Sequence, residues 1–191
     1  MDLKQALEQY RPDCEQEAQD RRMMLRYLRD FDDILLRSNE IAHFSASGWI
    51  VNPARNRVLM AYHNIYDSWS WTGGHADGDA DLLHVALKEA AEETSAQGLR
   101  ALSTEIYSVE ILTVPAHFRR GKYVVPHLHL NVTYLLEADD VRPVCAKPDE
   151  NRAVGWFSPD EAVAASTEPM MQVVYRKLNA KLPHFLNSRG G

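Results

Sequence analysis

Three glutamates, Glu89, Glu92 and Glu93, fall within five residues near the end of WTGGHADGDADLLHVALKEAAEET, the stretch from Trp71 to Thr94. Helical neighbours three and four apart share a face, and like charges there cost roughly 0.2–0.5 kcal/mol per pair. Either water screens that repulsion or a cation relieves it. Clustered carboxylates suit a hard, oxygen-seeking ion such as Mg²⁺, which is held by few carboxylates together with substrate phosphates. Gly73 and Gly74 stand one loop earlier. Glycine lets backbone approach a ligand closely, and a backbone carbonyl can join a coordination shell.

Further polar residues fall where a substrate would need them. In PHLHLNVTY, His127, His129, Asn131 and Thr133 alternate onto one strand face. His127 and His129 are candidates for contact with substrate or a second metal, against the alternative of an ordinary solvated face. Arg119, Arg120 and Lys122 cluster in one connection and are candidates for holding phosphate, against the alternative of a solvated loop. Trp69 and Trp71 flank Ser70; Trp71 is a candidate for stacking on a base, against core packing. His75 directly follows Gly74 and is a candidate substrate contact.

The elements that must carry these residues follow from periodicity. A helix from Asp81 to about Ala96 places Leu83, Leu87, Ala90 and Thr94 in one stripe and the glutamates on a largely opposite arc. The loop before it alternates Asp77, Asp79 and Asp81 but fails the calcium-loop pattern, because Leu82 and Lys88 occupy the places that require Gly and Glu. FSASGWIV and RVLMAYH read as a hairpin about NPARN. EIYSVEILTVPAHF and KYVVPHLHLNVTYLLEA read as two long strands joined near RRGK, and RAVGWFS as a short one. Ser158, Pro159, Asp160 and Glu161 start a helix. MMQVVYRKLNAKL is a final helix, and NSRGG a frayed tail. At the other end, Met24, Leu28, Phe31 and Leu35 form one apolar stripe on a helix expected to reach about Ser38, with Pro12 separating it from a shorter first helix. That segment reads as a helical extension packed on the domain, with a dimer contact or a lid as the sharper alternative.

The stretch from Gly74 onward resembles the Nudix box. Gly74, five residues, Ala80, seven residues and KEAAEETSA follow the pattern G, five residues, E, seven residues, REUxEExGU, where U is a bulky aliphatic residue. The hairpin before it, WTGGH and GWFSPDEA extend the likeness over about residues 43 to 165. The resemblance implies an α/β fold: a Nudix-like α/β/α sandwich with a mixed central sheet, plus the N-terminal helical extension. It divides the chain into an extension over 1–40, a domain over 41–187 and a tail over 188–191. It implies that Glu89, Glu92 and Glu93 bind Mg²⁺ or Mn²⁺ and that one of them helps deprotonate the attacking water. It makes the Gly73 carbonyl a metal ligand and Glu150 a further acid from a later loop. Lys88 stands where the family's Arg orients a glutamate; it keeps the charge and loses the two-pronged donor. Ala80 stands for Glu, Ser95 for Gly, Ala96 for a bulkier aliphatic, and Thr72 where Pro is common.

The implied activity is metal-dependent hydrolysis of a diphosphate bond in a nucleoside diphosphate linked to another group, with a small nucleotide derivative as substrate and a homodimer as an allowed assembly. A nucleotide-binding module without catalysis is the alternative that Ala80 and Lys88 favour. An isoprenyl diphosphate isomerase-like enzyme needs an active-site cysteine, and neither Cys14 nor Cys145 lies near the glycines. The remaining bulk properties agree. The 191 residues suffice for one core, and the net charge of −6 argues against an extended nucleic-acid surface. MDLKQALEQYRPD lacks the apolar run of a signal peptide, and no apolar run is long enough to span a membrane, so a cytoplasmic location is expected.

Overall fold

The NPARN turn closes the expected hairpin. In the computed structural model, which describes residues 2–119 and 121–187, β1 (Ala42–Val51) pairs antiparallel with β2 (Val58–His63), with Ile50 opposite Leu59. Asn52 makes the turn with its side chain, its Oδ1 accepting from the backbone N–H groups of Asn56 and Arg57 at 3.0 Å each. Such local bonds are why Asn is favoured in turns.

The strand order is β10-β2-β1-β9-β5, where β5 is Arg100–Ala101, β9 is His127–Glu137 and β10 is Asn151–Phe157. β3 (Ser68–Ser70) adds to β2, β4 (Thr72–His75) to β1 and β6 (Ser108–Val114) to β9. Leu128 N–H donates to the Ile41 carbonyl and Ala138 N–H to the Val51 carbonyl, both at 3.0 Å. Both strands advance by the same step between these bonds, so β1 and β9 run parallel. The neighbouring pairs β1–β2, β2–β10 and β6–β9 are antiparallel. The sheet is therefore mixed, as expected.

By contact density the chain divides into two compact units. The first comprises Met1–Ser47, Gly73–Ala86 and Thr104–Tyr134; the second comprises Gly48–Thr72, Leu87–Ser103 and Leu135–Gly191. In the first unit, α1 (Leu3–Gln9) and α2 (Glu15–Asp30) flank the expected break at Pro12. α2 stops at Asp30, short of the expected Ser38. Asp33 explains the stop: its carbonyl accepts from Leu36 N–H at 2.8 Å and its carboxylate from Asn39 Nδ2 at 2.8 Å, so a turn captures the chain. Of the expected stripe only Met24 is fully buried.

α2 is fastened to β6 by polar contacts. Gln16 Nε2 donates to the Val109 carbonyl at 3.0 Å, and Asp20 Oδ2 accepts from Ile111 N–H at 2.9 Å. Ser108 Oγ bonds to both Glu17 and Glu110, which are buried carboxylates. Asn131 Nδ2 and Thr133 Oγ1 donate to the other oxygen of Glu110 at 3.3 and 3.1 Å. The Asn131 and Thr133 half of the alternating polar face of β9 is therefore buried in a hydrogen-bonded network, while His127 and His129 are half-buried; buried polar groups are tolerated when paired in this way.

β6 and β9 pair as the two expected long strands, from Ser108 opposite Thr133 to Val114 opposite His127. Their connection is more than a turn. It forms a separate ribbon, β7 (His117–Arg119) with β8 (Lys122–Val124), where Phe118 packs edge-on against Tyr123.

In the second unit, Ser158 caps α4 (Pro159–Ala165) through a reciprocal capping box with Glu161. α5 (Pro169–Asn187) follows, and its Tyr175 stacks on Trp49 with ring centroids 5.2 Å apart. Residues 188–191, read as a tail, lie outside the described residues. No described helix is long and apolar enough to cross a membrane.

α3 (Leu82–Thr94) opens where Asp81 Oδ1 accepts from His84 N–H at 3.1 Å. It ends at Ser95, which sits at φ +52°. That left-handed conformation suits glycine, because a Cβ there costs roughly 1–2 kcal/mol. The box asks for Gly at this position for a backbone reason. Ser95→Gly is expected to stabilise the protein by about 0.5–1 kcal/mol, measured as a rise in the urea midpoint at unchanged m-value.

Candidate functional site

The carboxylate cluster is built within the second unit. Glu89 and Glu92 lie on α3, one turn apart, and Glu150 lies in the loop before β10. Cys145 N–H bonds to the Thr94 carbonyl at 2.9 Å, and Asn64 N–H to the Glu150 carbonyl at 3.0 Å, so that loop is held at both ends. Lys147 Nζ lies 3.3 Å from Glu92 Oε2 and 3.2 Å from Glu150 Oε1. Lys88 Nζ lies 3.5 Å from Glu89 Oε1 and 3.9 Å from Glu92 Oε1. Lys147 thus bridges Glu92 to Glu150, and Lys88 bridges Glu92 to Glu89. Lys88 takes a point-charge role between two carboxylates.

Glu93 corrects the arc read from the helical wheel. It is 4% exposed, on the same buried face as Leu82, Val85, Ala86, Ala90 and Thr94, while Leu83 and Leu87 are half-buried. Asn151 Nδ2 donates to Glu93 Oε2 at 2.8 Å. A buried carboxylate without such a donor would be costly. Asn151 and Lys147 escaped the reading of the sequence. Their one signal was position, flanking Glu150 in KPDEN.

Burial raises the Glu89 carboxyl above its ordinary range; Lys88 opposes this, and Glu92 and Glu150 reinforce it. The side chain is only 17% exposed. Asn151 Oδ1 is buried with no hydrogen-bond partner among the described residues. Desolvated carboxylates beside an unsatisfied acceptor form a donor set of hard oxygens that fits a divalent cation. The raised carboxyl also carries a stability consequence. The folded state binds a proton that the unfolded state has released, so Glu89 costs stability as pH rises above the ordinary carboxylate range. In chelator-treated protein, Glu89→Gln is therefore expected to raise the Tm at pH 7 and to change it little at pH 4; equal shifts at both pH values would refute the electrostatic cause.

A second cluster lies within the first unit. His75 comes from β4, His127 and His129 from β9, and His43 from β1. His43 was not anticipated, because nothing in its local sequence marks it. The Nε2 atoms of His75 and His129 are 3.2 Å apart, as are those of His127 and His129. His43, His75 and His129 can bring one ring nitrogen each within 4.8 Å of one another.

The other candidates are dispersed. Trp71 packs edge-on against Tyr175 at 5.7 Å, and its backbone N–H donates to the Tyr175 hydroxyl at 3.2 Å. Trp69 lies edge-on to Phe157 and Tyr62. Arg119 ends β7, and Arg120 lies outside the described residues. Gly73 sits against β1, where an added Cβ would stand 2.6 Å from both the Ala46 carbonyl oxygen and Ser47 Oγ. Ala80 is exposed in the bend before α3.

A search of curated proteins finds no match to this sequence. Solved structures do match the fold. An Ap4A hydrolase from C. elegans in a binary complex shares 19% identity, with 74% of this chain and 98% of that one covered at a TM-score of 0.52. A NUDIX-family hydrolase from Clostridium perfringens shares 18%, covering 73% and 97% at 0.51. The E. coli dihydroneopterin triphosphate pyrophosphohydrolase shares 16%, covering 70% and 92% at 0.51. At these identities the likeness is one of fold. The family profile of the NUDIX domain matches residues 42–178, most of the chain. The expected mixed α/β fold, the N-terminal helices and the box on α3 thus meet in one assignment: the chain belongs to the Nudix family of hydrolases.

Proposed function

We propose that the protein is a divalent-metal-dependent hydrolase that cleaves a diphosphate bond in a nucleoside diphosphate linked to another group. The observation that carries this reading is the convergence of Glu89, Glu92 and Glu150, with Glu93 buried beside them and oriented by Asn151. Glu89, Glu92 and Glu93 would hold Mg²⁺ or Mn²⁺. The Gly73 carbonyl joins that proposal by correspondence with the motif alone. When bound, the cation neutralises the diphosphate and lowers the pKa of water.

The chain's own residues supply the rest. A carboxylate of the cluster accepts the proton of the attacking water. Asn151 donates to one oxygen of Glu93 and so fixes the rotamer of its carboxylate. Lys147 holds Glu92 and Glu150 together by charge and is the group that an incoming cation would displace from them. The same observation supports a second reading, a nucleotide-binding module without catalysis, in which Lys88 and Lys147 keep the carboxylates neutralised. The hydrolases from C. elegans and E. coli act, by their names, on Ap4A and on dihydroneopterin triphosphate, so both substrate classes belong in the test.

A screen of nucleotide sugars, dinucleoside polyphosphates, dinucleotides and nucleoside triphosphates with Mg²⁺ and Mn²⁺ decides between the readings. Release of a nucleoside monophosphate or of phosphate that stops with chelator supports hydrolysis. Calorimetric binding of a nucleotide with no product over hours supports the silent module. The domain division at residue 40, the cytoplasmic location and a homodimer belong to the same proposal, and gel filtration with light scattering tests the last.

A further inference from the structure

We propose that His43, His75 and His129, with His127 packed beside them, form a binding site for a borderline d-block cation, Zn²⁺ foremost, whose ligand chemistry is distinct from that of the carboxylate cluster. Sheet geometry assembles the site. His127 and His129 are two apart on β9 and share a face. β4 pairs with β1, and these strands supply His75 and His43.

The ring tautomers are set for ligation. His43 Nδ1 lies 3.0 Å from the Asn39 carbonyl oxygen, and His127 Nδ1 lies 2.8 Å from that of Val125. A carbonyl only accepts, so each Nδ1 carries the proton and each Nε2 of the neutral ring carries a lone pair. Ligating histidines are oriented by backbone carbonyls in this way. His43 Nε2 is buried with no hydrogen-bond partner among the described residues, and the residue is only 3% exposed. An orphaned buried acceptor is costly unless something fills its lone pair.

Spacing fits the same ion. Two nitrogens bound at 2.0–2.1 Å to a tetrahedral Zn²⁺ stand about 3.3 Å apart; the His75–His129 and His127–His129 pairs are at 3.2 Å. Hydrogen bonding among the rings accounts for less. His129 Nε2 carries at most one proton, which cannot serve both neighbours at full strength and leaves His43 Nε2 unmet. A cation held by His43, His75 and His129 gives the His43 lone pair a partner.

The charge state agrees. Burial first, then His75, His43, His127 and His117, pushes His129 down to about 2, and burial lowers His43. The neutral imidazole is the metal-binding form. Imidazole selects Zn, Cu, Fe or Ni, whereas carboxylate and water select Mg and Mn, so one cation does not substitute for the other. A groove of about 530 Å³, lined by Glu40, Ile41, Pro126 and His127 among others, touches the cluster at His127.

Chelator-treated full-length protein titrated with Co²⁺, then Zn²⁺, tests the site by visible absorption and calorimetry. The expected result is a tetrahedral Co²⁺ band that saturates at one equivalent and is displaced by Zn²⁺ with micromolar or tighter affinity. His75→Ala and His129→Ala are expected each to weaken Zn²⁺ more than about 100-fold, beyond the loss that removing a partner of a ligand causes, with far-UV circular dichroism unchanged. Glu93→Gln is expected to leave Zn²⁺ binding intact. Absence of a Co²⁺ band in folded protein, Zn²⁺ affinity unchanged in folded His75→Ala, or Zn²⁺ binding lost in Glu93→Gln would each overturn the proposal.

Discussion

Glu93→Gln is expected to lower metal-stimulated turnover by about 10³-fold, within the range attributed to a positioned acid or base, while leaving the Tm within a few degrees. The substitution preserves volume and keeps an oxygen that can accept from Asn151 Nδ2, now at 2.8 Å from Glu93 Oε2. What it removes is the charge of a carboxylate only 4% exposed. Because a buried carboxylate is expensive, a purely structural residue at this position would be replaced by its neutral isostere with gain or no loss. Steady-state rates for wild type and variant on the best substrate of the screen, with Mg²⁺ varied, provide the check. Equal kcat in a folded variant would remove Glu93 from the proposed machinery. A rise in the Mg²⁺ requirement with kcat recovered at saturation would make it a ligand and not a base.

Gly73→Ala has the second large effect, and it falls on stability. An added Cβ would stand 2.6 Å from the Ala46 carbonyl oxygen and 2.6 Å from Ser47 Oγ. The carbonyl belongs to β1 and cannot swing aside. Ser47 Oγ already donates to Asn131 Oδ1 at 2.8 Å, so turning it away sacrifices a buried hydrogen bond. Overpacking of this kind costs about 2–3 kcal/mol, a fall in Tm of roughly 5–10 °C for a chain of this size. Gly155→Ala is the control, since its Cβ would meet Phe157 no closer than 3.4 Å. Similar melting for the two variants would show that the clash at Gly73 is absorbed and that its glycine serves something other than close packing.

Ser158 and Glu161 show what short-range sequence carries. The Ser158 cap formed as read, and Glu161 closes it into a capping box that needs only residues three apart. The β1–β2 hairpin and the break at Pro12 are equally local. The box spacing was legible for a related reason: Glu89, Glu92 and Glu93 lie on one helix, whose geometry fixes their separations. The failures share an opposite cause. The stop of α2 at Asp30 depends on Asn39 reaching back to Asp33. The β7–β8 ribbon interrupts a stretch that reads as one turn between strands.

By itself, then, the sequence determined the helices and strands that local periodicity and capping specify, the family pattern and the placement of three carboxylates on one helix. Tertiary structure alone decided which of them is buried. Glu93 faces the core because Asn151, 58 residues later, supplies the donor that makes its burial tolerable. It also decided that Asn131 and Thr133, on the polar face of β9, belong to an interior network, since Glu110 and Ser47 had to arrive there to satisfy Asn131. The histidine cluster is the extreme case. His43, His75 and His129 come from three strands, and no spacing in the chain announces that they meet. Pairing of distant strands sets which side chains meet, and a lone pair left over at such a meeting is visible only once the backbone carbonyls that fix each ring are in place.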